Sequence, residues 1–201
     1  MSLKRLLKTA TQPAPFLLVL SAPSGGGKTT VCEALLKREK WLMRCVTATT
    51  RPPRRGEQHG RDYYFLSPAE FQRRVAGGGF FEYAQVHGHA YGTPRREVEA
   101  ALARGQSLVL VIDVQGGAAV KGRRPDSVLV FLVPPSLAEL KRRLKRRGTD
   151  SPADVRRRLK EADRELKAGR GYDFLLVNDD LKRTVEAVAG IALATRHRLR
   201  A

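Results

Sequence analysis

Ala22-Pro23-Ser24-Gly25-Gly26-Gly27-Lys28-Thr29 lies between an apolar run, Phe16-Leu17-Leu18-Val19-Leu20, and a stretch of helical character, Thr30-Val31-Cys32-Glu33-Ala34-Leu35-Leu36-Lys37-Arg38. A glycine-rich loop that leaves a strand, enters a helix and closes in Gly-Lys-Thr is the P-loop layout for holding a nucleotide's phosphates. Each part has a physical task. Glycines let the backbone curl until successive N–H groups converge on phosphate oxygens. The helix N-terminus behind them adds a field that favours an anion. Lys28 can reach the β- and γ-phosphates, and the Thr29 hydroxyl can ligate magnesium. The pattern's first glycine is Ala22 here, which is tolerable if its φ is negative. Residues 22–29, with Thr30 behind them, are therefore read as the binding loop for ATP or GTP.

The chain's 201 residues make one large or two small compact units with a real core. Its apolar and charged fractions are those of a soluble globular protein. Cys32 and Cys45 show no framework spacing, so a reducing, cytosolic setting is expected. No apolar run approaches the roughly 20 residues that span a bilayer, and no membrane partner is expected. Residues 1–13 carry Lys4, Arg5 and Lys8 without the apolar core of a signal peptide, and read as a basic N-terminal extension. A formal net charge of +18 invites a nucleic-acid reading. An enzyme that clamps two nucleotides must also neutralise several phosphate charges, however. The chain lacks an interleaved aromatic and basic pattern, and it lacks helix-turn-helix or zinc-finger spacing. Nucleic acid is not expected as the main partner. Oligomeric state is not legible.

Strand-like runs recur at 16–20, 44–48, 108–112, 128–133 and 174–177. Most are continuous Val, Leu and Ile, as in strands buried on both faces of a parallel sheet. Helical patterns lie at 29–40, 94–104, 136–147 and 152–168. A last helix from Asp180 to about Arg200 puts Leu181, Val185, Val188, Ile191, Ala192 and Leu199 on one side. This alternation predicts an α/β fold, a P-loop core with a helix-covered parallel sheet. Two segments break the rhythm. Residues 49–91, rich in Pro, Gly, Arg and aromatics, predict a small mixed-β insertion with short strands at 62–66, 80–86 and 89–91 and a helix at 68–76. Residues 141–168 predict two basic helices joined by a polar turn, with Asp150 or Ser151 as N-cap and Pro152 in the first turn. The core is then 14–48, 92–140 and 169–200.

The insertion opens with Thr47-Ala48-Thr49-Thr50-Arg51-Pro52-Pro53-Arg54, two arginines three apart and stiffened by prolines. Their guanidinium forks suit a phosphate, although arginine- and proline-rich loops also occur without one. Tyrosines in Asp62-Tyr63-Tyr64-Phe65 and Tyr91-Gly92-Thr93 offer a hydroxyl to a phosphate and a ring to a base. Glu82, in Phe80-Phe81-Glu82-Tyr83, reads on its own as a cross-strand ion pair. His87 and His89 stand two apart on a strand-like stretch and read as a surface pair near this loop. His59 and His197 read as surface residues.

Taken in order, Ala-Pro-Ser-Gly-x-Gly-Lys-Thr, Thr-Thr-Arg-x-Pro-Arg-x-Gly-Glu, Gly-Arg-Asp-Tyr-x-Phe, Phe-x-Glu, Tyr-Gly-Thr, Ile-Asp-Val-Gln-Gly and Val-Asn-Asp resemble guanylate kinase from residue 16 to residue 200. The resemblance implies magnesium-dependent transfer from ATP to GMP, giving ADP and GDP, with dGMP a further acceptor. It implies that Arg51, Arg54, Tyr63 and Tyr91 hold the GMP phosphate. Thr47 (where the family usually has Ser), Glu82, Thr93 and Asp113 would surround the guanine. Guanine offers donors at N1 and its amine, a match for a carboxylate such as Glu82; adenine N1 is an acceptor, and a site left unpaired can discriminate by roughly 10⁴–10⁵. Residues 141–168 would form a helical lid, whose Arg143 and Arg147 would close over ATP; Arg158 would reach the transferred group, and Asn178 would lie near the adenine. Lys28, Arg51, Arg143 and Arg158 are thus the catalytic candidates, and Thr29 the metal ligand. The family's Asp-Ile-Asp-x-Gln-Gly is Val111-Ile112-Asp113-Val114-Gln115-Gly116 here. The first carboxylate is absent, so weaker magnesium use or slower turnover is expected. A peptide-binding relative that has lost its catalytic residues is disfavoured by the intact Lys28, Arg51, Arg54 and Glu82.

Overall fold

The structure, a computed structural model, describes residues 13–146 and 152–198, together with Ser2 and Leu7. Strand β1 (Leu17–Ser21) is fully buried and runs parallel to β7 (Ser107–Val111) on one side and β8 (Val128–Val133) on the other. Strands β2 (Leu42–Arg44) and β9 (Phe174–Val177) complete a five-stranded parallel sheet in the order β2-β7-β1-β8-β9. Period-two alternation sorts its side chains. Leu18 and Leu20 pack under helices α1 (Lys28–Arg38) and α7 (Leu181–Arg196), against Val31, Leu35, Val185 and Val188. Leu17 and Val19 pack under α3 (Arg95–Ala103) and α4 (Val114–Arg123), against Val98 and Val120. Each such side chain contributes about 1.5–3 kcal/mol through burial. Because both faces are covered, the central strands are apolar without interruption, which is why they are legible as parallel strands.

A second sheet has the order β4 (Tyr64–Phe65), β3 (Ala48–Thr49), β6 (His89–Pro94), β5 (Phe80–Val86). It is mixed, with β3 and β4 parallel and the other pairs antiparallel. Helix α2 (Pro68–Ala76) has Pro68 in its first turn and the Ser67 hydroxyl accepting from Glu70 N–H. It stacks Phe71 on Phe80, with ring centroids 4.5 Å apart. The sheet is wider than 49–91 at both ends. Helices α5 (Leu137–Arg146) and α6 (Pro152–Ala168) meet through Leu140, Leu144 and Ala162. A 3-10 turn at Gly169–Gly171 leads from α6 into β9.

Four details differ from the sequence reading. The run at 44–48 is not one strand: the chain leaves the large sheet after Arg44 and enters the small one at Ala48, so one apolar stretch serves two sheets. Strand β4 covers only two residues of 62–66. Helix α4 was not signalled, because three of its ten residues are glycine. On α7 the buried face is Thr184, Val185, Val188, Ala189 and Ala192, while Leu181 is exposed; Leu199 lies outside the described residues, as do Asp150 and Ser151.

Candidate active site

The loop after β1 has the curvature that an anion cradle requires. Gly25 and Gly27 take φ of +87° and +92°, where other side chains are strained, and Gly26 N–H donates to Pro23 O (2.8 Å). His87 is the one described non-glycine residue at positive φ, so Ala22 sits without strain in the glycine's place. Asn178 braces the loop, its Nδ2 donating to Gly26 O at 2.8 Å. A Cβ on Gly27 would lie 2.5 Å from that nitrogen. Lys28, in the first turn of α1, folds back to donate its Nζ to Ala22 O.

Two cavities meet at this loop and share Gly25. One, of about 470 Å³, is lined by Gly25, Gly27, Thr30, Arg142, Arg143 and Asn178. Arg143 is held there by Glu139 Oε1 (2.7 Å) and Asn178 O (2.9 Å). The same arginine holds the Glu139 carboxyl below its usual range. Arg147 lies outside the described residues.

The other cavity, of about 170 Å³, runs from Ser24, Lys28 and Thr29 to Thr47, Arg54, Tyr63, Glu82, Tyr91 and Asp113. Glu82 is buried, accepts from Thr93 Oγ1 and forms no ion pair among the described residues, so the cross-strand pairing does not occur. Burial pushes its carboxyl up to about 7, against the Thr93 hydrogen bond and with help from Asp113. Asp113 caps α4, accepting from Gly116 N–H at 3.0 Å. A Cβ on Gly116 would lie 2.6 Å from Glu82 Oε2, so glycine there lets the carboxylate approach the helix. Thr93 stands behind Glu82 rather than on the wall. Arg51 also stands back, only 9% exposed. Its Nη2 donates to both oxygens of Glu57 (2.9 Å each), and its guanidinium lies over the Tyr63 ring at 5.5 Å. Glu57, which sequence reasoning gave no role, thus orients Arg51 and also accepts from Arg54 N–H (2.7 Å).

Helix α6 adds more that was not foreseen. Arg158 Nη1 donates to Ser24 Oγ, and Glu165 Oε2 accepts from Ser24 N–H, both at 3.2 Å. Burial raises the Glu165 carboxyl, opposed by Lys28. His87 is a turn residue rather than a strand neighbour of His89, and it contacts Glu161. His59 and His197 are exposed. For a divalent cation, the exposed Thr29 hydroxyl and the Asp113 carboxylate are hard oxygen donors that suit magnesium. No cluster of three or more His, Cys, Asp or Glu suited to a metal occurs among the described residues. That donor set fits a cation held largely by substrate phosphates and water.

A glycine-rich phosphate loop with a cavity on each side defines a class, the P-loop kinases that pass a phosphoryl group between two bound molecules. Comparison narrows the class. The guanylate kinase family model matches residues 15–194. Guanylate kinase of Symbiobacterium thermophilum is 46% identical over 93% of this chain and 89% of its own. That of Thermus thermophilus is 47% identical over 90% and 81%. The crystal structure of guanylate kinase from Anaplasma phagocytophilum superposes with a TM-score of 0.77 at 34% identity, over 92% of this chain and 88% of that one. The chain belongs to the guanylate kinase family.

Proposed function

We propose that this protein catalyses ATP + GMP ⇌ ADP + GDP, with dGMP as a further acceptor, and that the larger cavity takes ATP and the smaller one GMP. The observation that carries this is the shared loop, since two sites meeting at Gly25 put a donor phosphate and an acceptor phosphate at one place. In the donor site the backbone of residues 22–29 cradles the phosphates, Lys28 swings from Ala22 O to the transferred group, and Arg143 neutralises charge. Asn178 acts chiefly by holding Gly26. In the acceptor site Arg51, Arg54, Tyr63 and Tyr91 take the GMP phosphate, and Glu82, positioned by Thr93 beside Thr47 and Asp113, accepts from guanine N1–H and the amine. Arg158 reaches from the lid, and Arg147 is assigned with it by resemblance. The GMP phosphate is already an anionic nucleophile, so no protein base is needed; alignment, charge neutralisation and exclusion of water remain. Thr29 would hold magnesium, which supplies charge neutralisation on the phosphates. Residues 49–91 and helices α5 and α6 move on binding in this reading, because a lid arginine that arrives only when both substrates are bound limits wasteful hydrolysis.

No described helix is long and apolar enough to cross a membrane. A cytoplasmic setting suits Cys32 and Cys45, free thiols that burial pushes up to about 11 and about 12, so that neither is poised to react. The test is Glu82→Gln, which keeps the shape and replaces one acceptor oxygen by a donor. We expect kcat/KM for GMP to fall by on the order of 10²–10³, as for loss of a charged hydrogen bond with its partner left unpaired. A variant that turns over GMP normally would overturn the acceptor assignment.

A further inference from the structure

Arg158, Glu161 and Glu165 are spaced three and four apart on α6 and share one face of that helix. Arg158 and Glu165 both bind Ser24, one at its hydroxyl and one at its N–H. These two contacts, with the packing of Ala162 on Leu140 and Leu144 of α5, hold the helix above the phosphate loop, and none of them reaches the β5–β6 hairpin. Glu161 supplies a third contact elsewhere, its Oε2 lying 2.6 Å from His87 Nδ1. That oxygen is buried and has no partner of hydrogen-bond geometry among the described residues, so the approach is one of charge, present when the His87 ring is protonated. His87 stands at the tip of the β5–β6 hairpin, φ +52° beside Gly88 at +83°. Positive φ at both residues of a two-residue turn is the conformation hairpins favour. The two strands it joins carry Glu82, Tyr91 and Thr93, and His87 itself lines the smaller cavity.

We propose that the His87–Glu161 pair is a strap between the acceptor insertion and the lid helix, and that His87 is a positioning residue. It acts through Glu161 to tie α6, and with it Arg158 at the phosphate loop, to the β5–β6 hairpin. GMP that draws the hairpin inward then carries the lid with it, so occupancy of the acceptor site tightens the donor site. The inference rests on the assignment of the two cavities to GMP and ATP.

The test is calorimetric. A non-hydrolysable ATP analogue is titrated with and without saturating GMP into the unaltered protein, His87→Asn, Glu161→Gln and the double variant. Asparagine tolerates positive φ, and glutamine keeps the carboxylate's shape. The readout is the ratio of the two Kd values, which a purely structural defect leaves alone. GMP is expected to tighten the analogue in the unaltered protein. Each single variant should lower the ratio by about two- to fivefold, the scale of a partly exposed ion pair, and the double variant no further than either single. Equal ratios in all four proteins, including ratios of one, or additive losses in the double variant, would overturn the strap alone. An unaltered protein that binds the analogue but not GMP would overturn the acceptor assignment, and the strap with it.

Discussion

Burial holds the Glu82 carboxyl near pH 7 instead of near 4.5, and that displacement has opposite consequences for folding and for binding. The folded chain keeps its proton more tightly than the unfolded chain. The resulting stabilisation is full below about pH 4.5 and is lost as the pH rises through about 7. Guanine needs the ionised form, so GMP binding should weaken as the pH falls through 7 and should release a proton there. The phosphate's own second ionisation, near 6, adds to this profile, and Glu82→Gln separates the two. The unaltered protein should show a rise in KM for GMP that steepens below pH 7, and the variant only the phosphate's share. Identical profiles would refute the role of the carboxylate. Val111 is the second residue with a test of its own. It ends β7 opposite Leu20 and lies on the wall shared by Thr29 and Asp113, a position where the motif resemblance implies a carboxylate. Val111→Asp should lower the magnesium concentration for half-maximal rate; an unchanged requirement would show that the missing carboxylate does not matter.

Helix α4 shows how packing overrides propensity at the scale of an element. Glycine inside a helix costs up to about 1 kcal/mol relative to alanine, yet residues 114–123 hold three. At two of them a methyl has no room: one on Gly116 would meet Glu82, and one on Gly117 would lie 2.1 Å from Tyr172 Oη. That hydroxyl donates to Ser21 Oγ at 2.7 Å, and Ser21 in turn donates to Ile112 O, so the contact ties the end of β1 to the loop before α4. Gly122 has nothing within 4 Å of an added Cβ. Gly117→Ala should therefore destabilise, since overpacking costs about 1–3 kcal/mol and outweighs the gain in propensity. Gly122→Ala should stabilise by about 0.5–1 kcal/mol. Urea unfolding midpoints of both variants check the pair; a stabilised Gly117→Ala would refute the close contact. The same glycines explain why this helix escaped periodicity. The 44–48 run escaped for a different reason, because alternation marks a strand without saying to which sheet it belongs.

For the whole molecule, what was legible followed contiguity. The phosphate loop, its strand and its helix are one unbroken stretch of sequence, and the buried parallel strands announce themselves as apolar runs. On the wall of the smaller cavity, Thr47, Arg54, Tyr63, Glu82, Tyr91 and Asp113 were legible because ordered motifs supplied them, whereas His87 and Glu165 were not. Contacts made across the fold were not: Glu165 meets Ser24 across 141 positions and Arg158 meets it across 134, with no local signal at either end. The positive charge follows the same division. Lys28, Arg54 and Arg143 line the two cavities, so part of the net +18 serves phosphates brought together at one loop. The central claim is that this loop passes a phosphoryl group from ATP to a guanine nucleotide. Its most direct test is ADP formation from ATP and magnesium with GMP, AMP, CMP and UMP in parallel. Rapid turnover with GMP alone is the predicted result; equal turnover with AMP, or none with any acceptor despite retained ATP binding, would contradict it.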